Sequence, residues 1–333
     1  MKTISVIIPT YNRSNLISIT LESFARQNYP NECFEIIVMN NNSTDNTARI
    51  VKELMVKYPI IKYYEEPRQG VHYARNSAVK YAKSEILYYT DDDMIADPEL
   101  LATLVKTFDL DPNIAVVGGK VLPNWEVPPP EWVLKYCVNT FLSLNPDDTD
   151  LIISDKMINV FSCHEAIKRE AFLKSGGFNP ENTKGTWIGD GETGLSIKIL
   201  KLGYKQAYNG SSIIYHIIPK SRMTQSYLNK RLANHGNCDS YTIYKATNGM
   251  KKSELLKNIA RNAKNLINKC LATVWYMLNF RDKWRLSLAQ SFYHRNRILY
   301  DIKLFYSPGL RKLVLKNNWF DNDLNNNCQS TKL

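Results

Sequence analysis

Apolar and amphipathic stretches alternate over the first 120 residues. Four short runs rich in β-branched residues predict strands, and the stretches between them carry apolar residues at helical spacing. We predict strands at residues 5–8, 35–39, 60–64 and 86–89, and helices at about 15–27, from 43–45 onward, at 71–82 and at 98–109. Runs that are apolar on both faces and joined by crossover helices form a parallel sheet. The pattern therefore predicts an α/β fold, with a mostly parallel, Rossmann-like sheet flanked by helices.

The pattern becomes less regular after residue 120 and is helical again near the C-terminus. We predict further strands at residues 114–119, 205–208 and 212–216, and a proline-rich loop region at about 128–150. The final third is predicted to be a basic helical extension. The asparagine-rich residues 317–333 are predicted to form a flexible tail.

Polar residues follow three of the predicted strands, as Thr10-Tyr11-Asn12-Arg13, Asn40-Asn41-Asn42 and Asp91-Asp92-Asp93. Ligands of parallel sheets bind at these carboxyl ends, so we expect a site there. Adjacent carboxylates repel one another, so three at the mouth of a buried strand are expected to hold a divalent cation. Such a cation keeps open positions for diphosphate oxygens. The alternative is a solvated turn before a helix, with Asp97 as N-cap and Pro98 at its first position.

The 333 residues are enough for one large domain or two moderate ones. No stretch approaches the ~18 consecutive apolar residues that a membrane span needs, and the N-terminus has no signal-peptide pattern. We therefore expect a cytoplasmic protein. The six cysteines include no C-x-x-C pair, which argues against a zinc knuckle and against a disulfide framework.

The net charge of +11 is concentrated near the C-terminus. Residues 245–316 contain 16 Lys or Arg against three acids, a net charge of +13. Such asymmetry predicts a surface that meets an anionic partner, either a membrane inner leaflet or nucleic acid. Residues 254–279 combine apolar helical spacing with interleaved lysine and arginine. This basic amphipathic helix either lies on an anionic leaflet or packs on its own domain with a solvated charged face.

Seven segments together resemble the family 2 glycosyltransferases, which have the GT-A fold. The matching segments are residues 5–13, 42–47, 70–76, the D-x-D loop 91–93, 176–178, 189–192 and the strand that ends in His216. Each segment alone is weak, but their order and spacing are diagnostic. The resemblance covers roughly residues 3–240.

The resemblance implies an enzyme that transfers a sugar, with inversion, from a nucleoside diphosphate donor to an acceptor hydroxyl. It divides the chain into a catalytic domain, residues 1–240, and the basic extension, residues 241–316. Residues 1–120 would bind the nucleotide-sugar and residues 121–240 the acceptor. We expect a saccharide or lipid-linked acceptor in surface polysaccharide or glycolipid synthesis, an enzyme peripheral on the inner face of the membrane, and no nucleic-acid partner.

The resemblance also assigns metal and donor residues. Asp93 and Asp91, with His216, are expected to bind Mn²⁺ or Mg²⁺, while Asp92 or Asp91 touches the donor ribose. His216 has a second reading as a packed, hydrogen-bonded side chain. The remaining donor contacts are expected from Pro9, Thr10, Tyr11, Arg13, Asn40 and Arg75.

Glu192 is expected to be the general base that deprotonates the acceptor hydroxyl, with Asp190 as the second candidate. Both acids could instead stabilise a helix N-terminus. Trp187 is expected to form a platform under a sugar ring or to belong to the core. Arg222 is expected to cover the diphosphate.

The chain departs from the family pattern at two places. Many relatives carry Asp where this chain has Asn40, although an Asn amide can also accept from a ring N–H and donate to a carbonyl. A uracil nucleotide is therefore expected, with guanine and thymine open. The late acidic motif reads Asp190-Gly191-Glu192 rather than Glu-Asp, which leaves two candidates for one role.

Two other functions compete with sugar transfer. A sugar-1-phosphate nucleotidyltransferase should have a glycine-rich loop after its first strand, and residues 10–13 contain no glycine. A non-enzymatic nucleic-acid-binding protein could use the basic extension, but no recognised binding module accompanies it.

Overall fold

The computed structural model describes residues 1–180 and 191–320, apart from the side chain of Glu192. The strands are β1 (Ile4–Thr10), β2 (Phe34–Asn40), β3 (Ile61–Glu65), β4 (Ile86–Thr90), β5 (Met94–Ala96), β6 (Ile114–Trp125), β7 (Leu151–Ser154), β8 (His164–Lys168) and β9 (Lys205–Ile218). The helices are α1 (Ile17–Ala25), α2 (Thr47–Lys57), α3 (Val71–Ala78), α4 (Leu100–Asp109), α5 (Glu131–Cys137), α6 (Arg169–Ser175), α7 (Gly191–Lys201), α8 (Gln225–Ala246), α9 (Lys252–Leu278), α10 (Trp284–Tyr306) and α11 (Pro308–Leu315).

The strands of the described ranges form one sheet in the order β3-β2-β1-β4-β8-β6-β9-β5, with β7 also paired to β9. Strands β3, β2, β1 and β4 are parallel to one another, and β6 is parallel to β9. Strands β5, β7 and β8 join antiparallel. The predicted α/β class is confirmed, and the carboxyl ends of β1, β2 and β4 meet at one edge of the sheet.

Successive residues of β1 face two different cores because strand side chains alternate in direction. Val6 and Ile8 pack with Leu21 of α1 and Leu104 of α4 on one side of the sheet. Ile7 packs with residues of α3 and α6 on the other. The sheet is therefore buried on both faces, which explains why its first strands are continuous apolar runs.

Some predicted elements have different limits. The predicted strands 205–208 and 212–216 are a single strand, β9, whose pairing with β6 shifts register between Gly119 and Lys120. Helix α4 begins at Leu100 rather than Pro98. Asp97 begins the turn that leads into α4: its carboxylate accepts from the Glu99 backbone N–H at 2.9 Å, and its carbonyl accepts from the Leu100 N–H.

The C-terminal helices have a small core of their own, which includes Tyr241, Leu255, Tyr300 and Leu304. The predicted helical extension is confirmed, and the boundary predicted at residue 240 falls inside α8. No helix of residues 1–180 and 191–320 is long and apolar enough to span a membrane.

The first residues of the predicted flexible tail pack against the C-terminal end of α6. The Trp319 backbone N–H donates to the Gly176 carbonyl at 2.9 Å, and the Phe320 ring lies 5.7 Å from that of Phe172. Gly176 has a φ of +79°, and a Cβ there would lie 2.7 Å from the Asn317 carbonyl oxygen. Glycine is therefore required for this close approach. Residues 321–333 lie outside the described residues.

Candidate active site

The loop with the three adjacent acids connects β4 to β5 at the carboxyl edge of the sheet. Met94 of β5 pairs with His216 of β9, and the Ile217 backbone N–H donates to the Asp93 carbonyl at 2.9 Å. This register brings the two side chains together, with His216 Nε2 3.5 Å from Asp93 Oδ2. The strand pairing itself therefore joins two of the predicted metal ligands.

The orientation of His216 is fixed by a backbone contact. Its Nδ1 atom lies 2.9 Å from the Leu142 carbonyl oxygen. A carbonyl can only accept, so Nδ1 carries the proton and donates. The Nε2 atom is left as an acceptor, and it accepts from Nη1 of Arg222. A backbone carbonyl behind a histidine is the usual support for a metal-binding imidazole.

Two arginines balance the buried charge of Asp93. Nη2 of Arg222 lies 2.9 Å from Asp93 Oδ2, and Nη2 of Arg13 lies 3.8 Å from the same atom. Burial opposes ionisation of Asp93, but the guanidinium groups of Arg222 and Arg13 favour it, and the pKa of Asp93 is held well below its usual range. Burial and then the neighbouring Asp93 raise the pKa of Asp92 to about 7.

Asp91 is paired with a different arginine from Asp93. Its Oδ1 atom accepts from Nη2 of the buried Arg75 at 2.6 Å, and Arg75 also donates to the Ser162 carbonyl at 3.3 Å. The Asp93 and His216 side chains thus lie next to each other, whereas Asp91 is hydrogen-bonded to Arg75. Among the residues that the structure describes, no three acids, histidines or cysteines are grouped as a ready-made metal site.

A first cavity of about 350 Å³ opens beside this loop. Its wall includes the predicted donor-binding residues Pro9, Thr10, Tyr11, Arg13, Asp91 and Asp92, together with Asp93 and Arg222. Arg13 is fixed there by its Nε, which donates to Asp92 Oδ1 at 3.1 Å. Tyr11 is half exposed. The structure therefore brings most of the predicted donor residues to one cavity.

Asn40, predicted to contact the nucleotide base, does not line this cavity. Its Oδ1 accepts from the Ser43 backbone N–H at 3.1 Å, and its Nδ2 donates to the Tyr63 hydroxyl at 2.8 Å. The next residue, Asn41, does line it. The Asn41 Oδ1 accepts from the Gly70 N–H at 2.7 Å and thereby fixes the start of α3 at the cavity wall.

A second cavity of about 210 Å³ adjoins the first and shares the lining residues Val71, Asp91 and Arg222 with it. A third, of about 220 Å³, shares Phe161 and Arg231 with the second and runs along α8. The three cavities therefore adjoin one another from the ends of β1 and β4 to α8. The Asp93–His216 pair lies where the first two cavities meet.

Helix α7 begins at the wall of the second cavity. A Cβ on Gly191 would lie 2.0 Å from Cε1 of His72, which lines that cavity. Thr193 lines the third cavity. The backbone of Glu192 therefore lies between the second and third cavities, although its side chain is outside the described residues. Asp190 and Trp187 are also outside the described residues.

Comparison with known proteins identifies the family of this chain. The sequence profile named "Glycosyl transferase family 2" matches residues 5–176, which is more than half of the chain. The chain belongs to glycosyl transferase family 2. Among its relatives, the uncharacterized glycosyltransferase YfnE of Bacillus subtilis is 34% identical over 114 residues, which are 34% of this chain and 29% of YfnE. The glucosyl-dolichyl phosphate glucuronosyltransferase of Haloferax volcanii is 24% identical over 53% of this chain and 56% of its own length.

A solved structure supports the GT-A fold of this family 2 member. The mannosyltransferase PcManGT from Pyrobaculum calidifontis, solved with GDP-Man and Mn²⁺, has a TM-score of 0.63. The match covers 90% of this chain and 87% of PcManGT at 21% identity. The predicted GT-A fold is therefore confirmed. The matched segments span less than two thirds of both curated relatives.

Part of the cavity lining in this family 2 protein could not be predicted from the sequence. His72 lies within the matching segment 70–76, but that segment gave no sign of a cavity contact. Arg231, His235 and Thr242 recur near one face of α8 and line the third cavity. Burial and then Arg231 lower the pKa of His235 to about 4. Helical spacing alone cannot distinguish polar residues that line a cavity from polar residues on a solvent-exposed helix face.

Proposed function

We propose that this protein is a metal-dependent, inverting glycosyltransferase. It would move a sugar from a nucleoside diphosphate donor, expected to be a UDP-sugar, to a hydroxyl of a saccharide or lipid-linked acceptor. The observation that carries the proposal is that the three cavities adjoin one another. The first would hold the nucleotide, the second the reacting sugar and the third the acceptor.

The donor set at the junction of the first two cavities fits a divalent cation. The guanidinium of Arg222 contacts both Asp93 Oδ2 and His216 Nε2, which marks a position where the protein already stabilises positive charge. Asp93 and His216, with Asp91, are the residues proposed to hold the metal. A mixed oxygen and nitrogen set favours Mn²⁺ over Mg²⁺, which prefers oxygen ligands. When bound, such a cation offsets charge on the leaving diphosphate.

Arginines of the first cavity would bind the diphosphate. Arg13 and Arg222 both line that cavity and are oriented by Asp92 and Asp93 respectively. Charge-assisted hydrogen bonds from guanidinium groups to phosphate oxygens are strong and directional. Arg75 is buried and already paired with Asp91. We therefore propose that Arg75 orients the Asp91 carboxylate and does not bind the donor diphosphate.

Glu192 is proposed as the general base, with Asp190 as the second candidate. The position of the Glu192 backbone, between the second and third cavities, supports a group that meets an acceptor hydroxyl. His72 lines the second cavity too, but burial and then Arg75 hold the pKa of its imidazole well below its ordinary value. A base that resists protonation this strongly is unsuited to accept the hydroxyl proton.

The third cavity is proposed as the acceptor site. It combines an aromatic ring, Phe161, with the polar side chains of Arg231, His235 and Thr242. Sugars present hydroxyls and apolar ring faces, so this combination suits a saccharide. The related glucuronosyltransferase acts on a dolichyl phosphate-linked sugar by its name. We therefore propose a role in surface polysaccharide or glycolipid synthesis, at the cytoplasmic face of the membrane.

A thermal-shift screen tests the proposal without knowledge of the acceptor. UDP-, GDP- and dTDP-sugars would each be added with Mn²⁺, with Mg²⁺ or with EDTA. We expect one nucleotide class, UDP first, to raise the melting temperature, and to do so only with a metal ion. No stabilisation by any nucleotide-sugar, or equal stabilisation in EDTA, would contradict the proposed function.

A further inference from the structure

We propose that the outer face of α9 and the adjoining turn to α10 dock on an anionic lipid membrane. This surface, called the α9 outer face below, consists of Leu256, Ile267, Leu271, Val274, Trp275, Leu278 and Phe280. It is distinct from the three cavities of the active site.

The two sides of α9 have different environments. Leu255 is buried in the C-terminal core, and Asn262 and Thr273 are buried on the same helix. By contrast, Ile267 is 60% exposed, Leu271 65% and Leu278 74%. Large aliphatic side chains rarely gather on a solvated surface without a binding role. The exposed positions from Leu256 to Leu278 recur at helical spacing and span about 33 Å of helix.

The C-terminal end of α9 and the turn after it extend the same surface with aromatic residues. Phe280 is 99% exposed and Trp275 is 50% exposed. The Arg281 guanidinium lies 5.2 Å from the centre of the Trp275 ring, and the Lys283 ammonium lies 5.4 Å from that of Tyr276. Aromatic rings next to cationic groups are typical of protein segments at the membrane–water interface.

The charged residues around the α9 outer face are basic, which favours an anionic partner. Lys257, Arg261 and Lys264 are exposed on the same helix. Its one acid, Glu254, is used at the N-terminus, where the carboxylate accepts from the Lys251 backbone N–H at 3.0 Å. A second copy of the chain would bring a second set of basic side chains to the interface. An anionic leaflet instead offers both negative headgroups and an apolar layer.

An aliphatic stripe of this length also argues against nucleic acid. Proteins that bind single strands combine basic grooves with aromatic platforms for base stacking. Here most of the exposed face is leucine, isoleucine and valine, which contribute nothing to stacking. An anionic lipid leaflet can contact the basic side chains through its headgroups and the aliphatic side chains through its apolar layer.

The docking surface is attached to the acceptor side of the enzyme. At the α9–α10 turn, Asp282 accepts from the Tyr136 hydroxyl at 3.0 Å and forms an ion pair with Lys135 of α5 at 3.3 Å. The Gln225 Nε2, at the start of α8, donates to the Arg285 carbonyl at 2.9 Å. Helix α8 lines the third cavity. The link to a lipid-linked acceptor rests on the proposed function, whereas membrane docking does not.

Vesicle sedimentation of the full chain, without substrates, tests the inference. The vesicles would contain equal parts of phosphatidylglycerol and phosphatidylcholine, or phosphatidylcholine alone. We expect the wild type to bind the anionic vesicles at low salt and to bind the neutral ones at least about tenfold more weakly. The double variant Leu271→Ser/Leu278→Ser should bind anionic vesicles about tenfold more weakly than wild type.

Two controls keep the result interpretable. Val56→Ser removes a side chain that is 86% exposed on α2, far from α9 in sequence, and should bind vesicles like wild type. A melting curve and metal-dependent nucleotide-sugar binding show that each variant is folded. If wild type stays in the supernatant, or if the double variant binds as well as wild type, the inference is overturned. A wild-type dimer that the double variant converts to monomer, without vesicle binding, would assign the surface to a second copy.

Discussion

Arg222, in the loop that follows β9, and Asp93, in the loop that precedes β5, form an ion pair of 2.9 Å. The same guanidinium donates to the Nε2 atom of His216, so one side chain contacts two candidate metal ligands. A buried carboxylate needs a positive partner, and here the chain supplies its own. We therefore expect Arg222 and a divalent cation to compete for Asp93 when no nucleotide is bound.

The first prediction concerns this competition. Arg222→Gln should raise the affinity for Mn²⁺ in the absence of nucleotide by about tenfold, because a charged hydrogen-bonding competitor is removed. Calorimetric titration of the apo protein with Mn²⁺ measures the change. Arg49→Gln, an exposed arginine on α2, is the matched control and should leave the affinity unchanged. Equal or weaker Mn²⁺ binding by the Arg222 variant would refute the competition.

The choice of general base is tested by two neighbouring acids. Glu192→Gln should lower kcat by ~10²–10⁴-fold with little change in donor affinity, because a base acts on the transition state. Asp190→Asn should lower kcat by much less. Initial rates with the donor found in the thermal-shift screen distinguish them. The reverse order of the two effects would transfer the role to Asp190.

A third prediction concerns the start of α7. Gly191→Ala should destabilise the fold by ~1–3 kcal/mol, because its Cβ would overlap the buried His72 ring. Gly309→Ala, in α11, is the matched control, since the nearest neighbour of its Cβ lies 4.0 Å away. That change should be neutral or stabilising by up to ~1 kcal/mol. Urea unfolding compares the two.

The overlap itself can be isolated with a second substitution. In a His72→Ala background, Gly191→Ala should cost less free energy of unfolding than in wild type, because the ring is gone. An equal cost in both backgrounds would show that the contact with His72 does not position α7.

A fourth prediction links stability to pH through a buried histidine. Burial lowers the pKa of His164 to about 4, against an opposing hydrogen bond to the Ser212 carbonyl. Below the ordinary pKa of 6.5 the unfolded chain gains a proton that the folded chain does not, so stability falls as pH falls. Between pH 6.5 and pH 5, His164 should lower the free energy of unfolding by about 2 kcal/mol.

His164→Gln isolates that contribution from the other titrating groups. Urea unfolding of the variant at several pH values should give a curve flatter than that of wild type by about that amount. Parallel curves for the two proteins would mean that His164 gains its proton as readily in the folded state as in the unfolded chain.

The first half of the fold was predictable because its strands are buried on both faces. Residues 5–8 and 86–89 are continuous apolar runs, and the structure places β1 and β4 there. Strand β8 was missed because it begins with His164 and Glu165, polar residues that read as a loop yet are buried. Strand β5 is three residues long and exists through its pairing with β9.

The candidate site was predictable only where chain topology decides it. Parallel strands deliver the residues after β1 and β4 to one edge, so Arg13 and Asp93 could be placed together from the sequence. Asn40 and Asn41 are adjacent, and which one faces the cavity depends on hydrogen bonds to Tyr63 and Gly70. The contribution of α8 to the third cavity depends on how this helix packs against residues distant from it in sequence, which the sequence does not reveal.

Hydrolysis of the identified nucleotide-sugar is the most direct test of the central claim. Release of the nucleoside diphosphate by wild type should require Mn²⁺, stop in EDTA and resume when Mn²⁺ is restored. Asp93→Asn should lower the rate by at least about a hundredfold at saturating Mn²⁺, because a ligand for the charge-offsetting cation is lost. Asp148→Asn, at an exposed acid, should match wild type. Hydrolysis that persists in EDTA and in the Asp93 variant would contradict a metal-dependent glycosyltransferase.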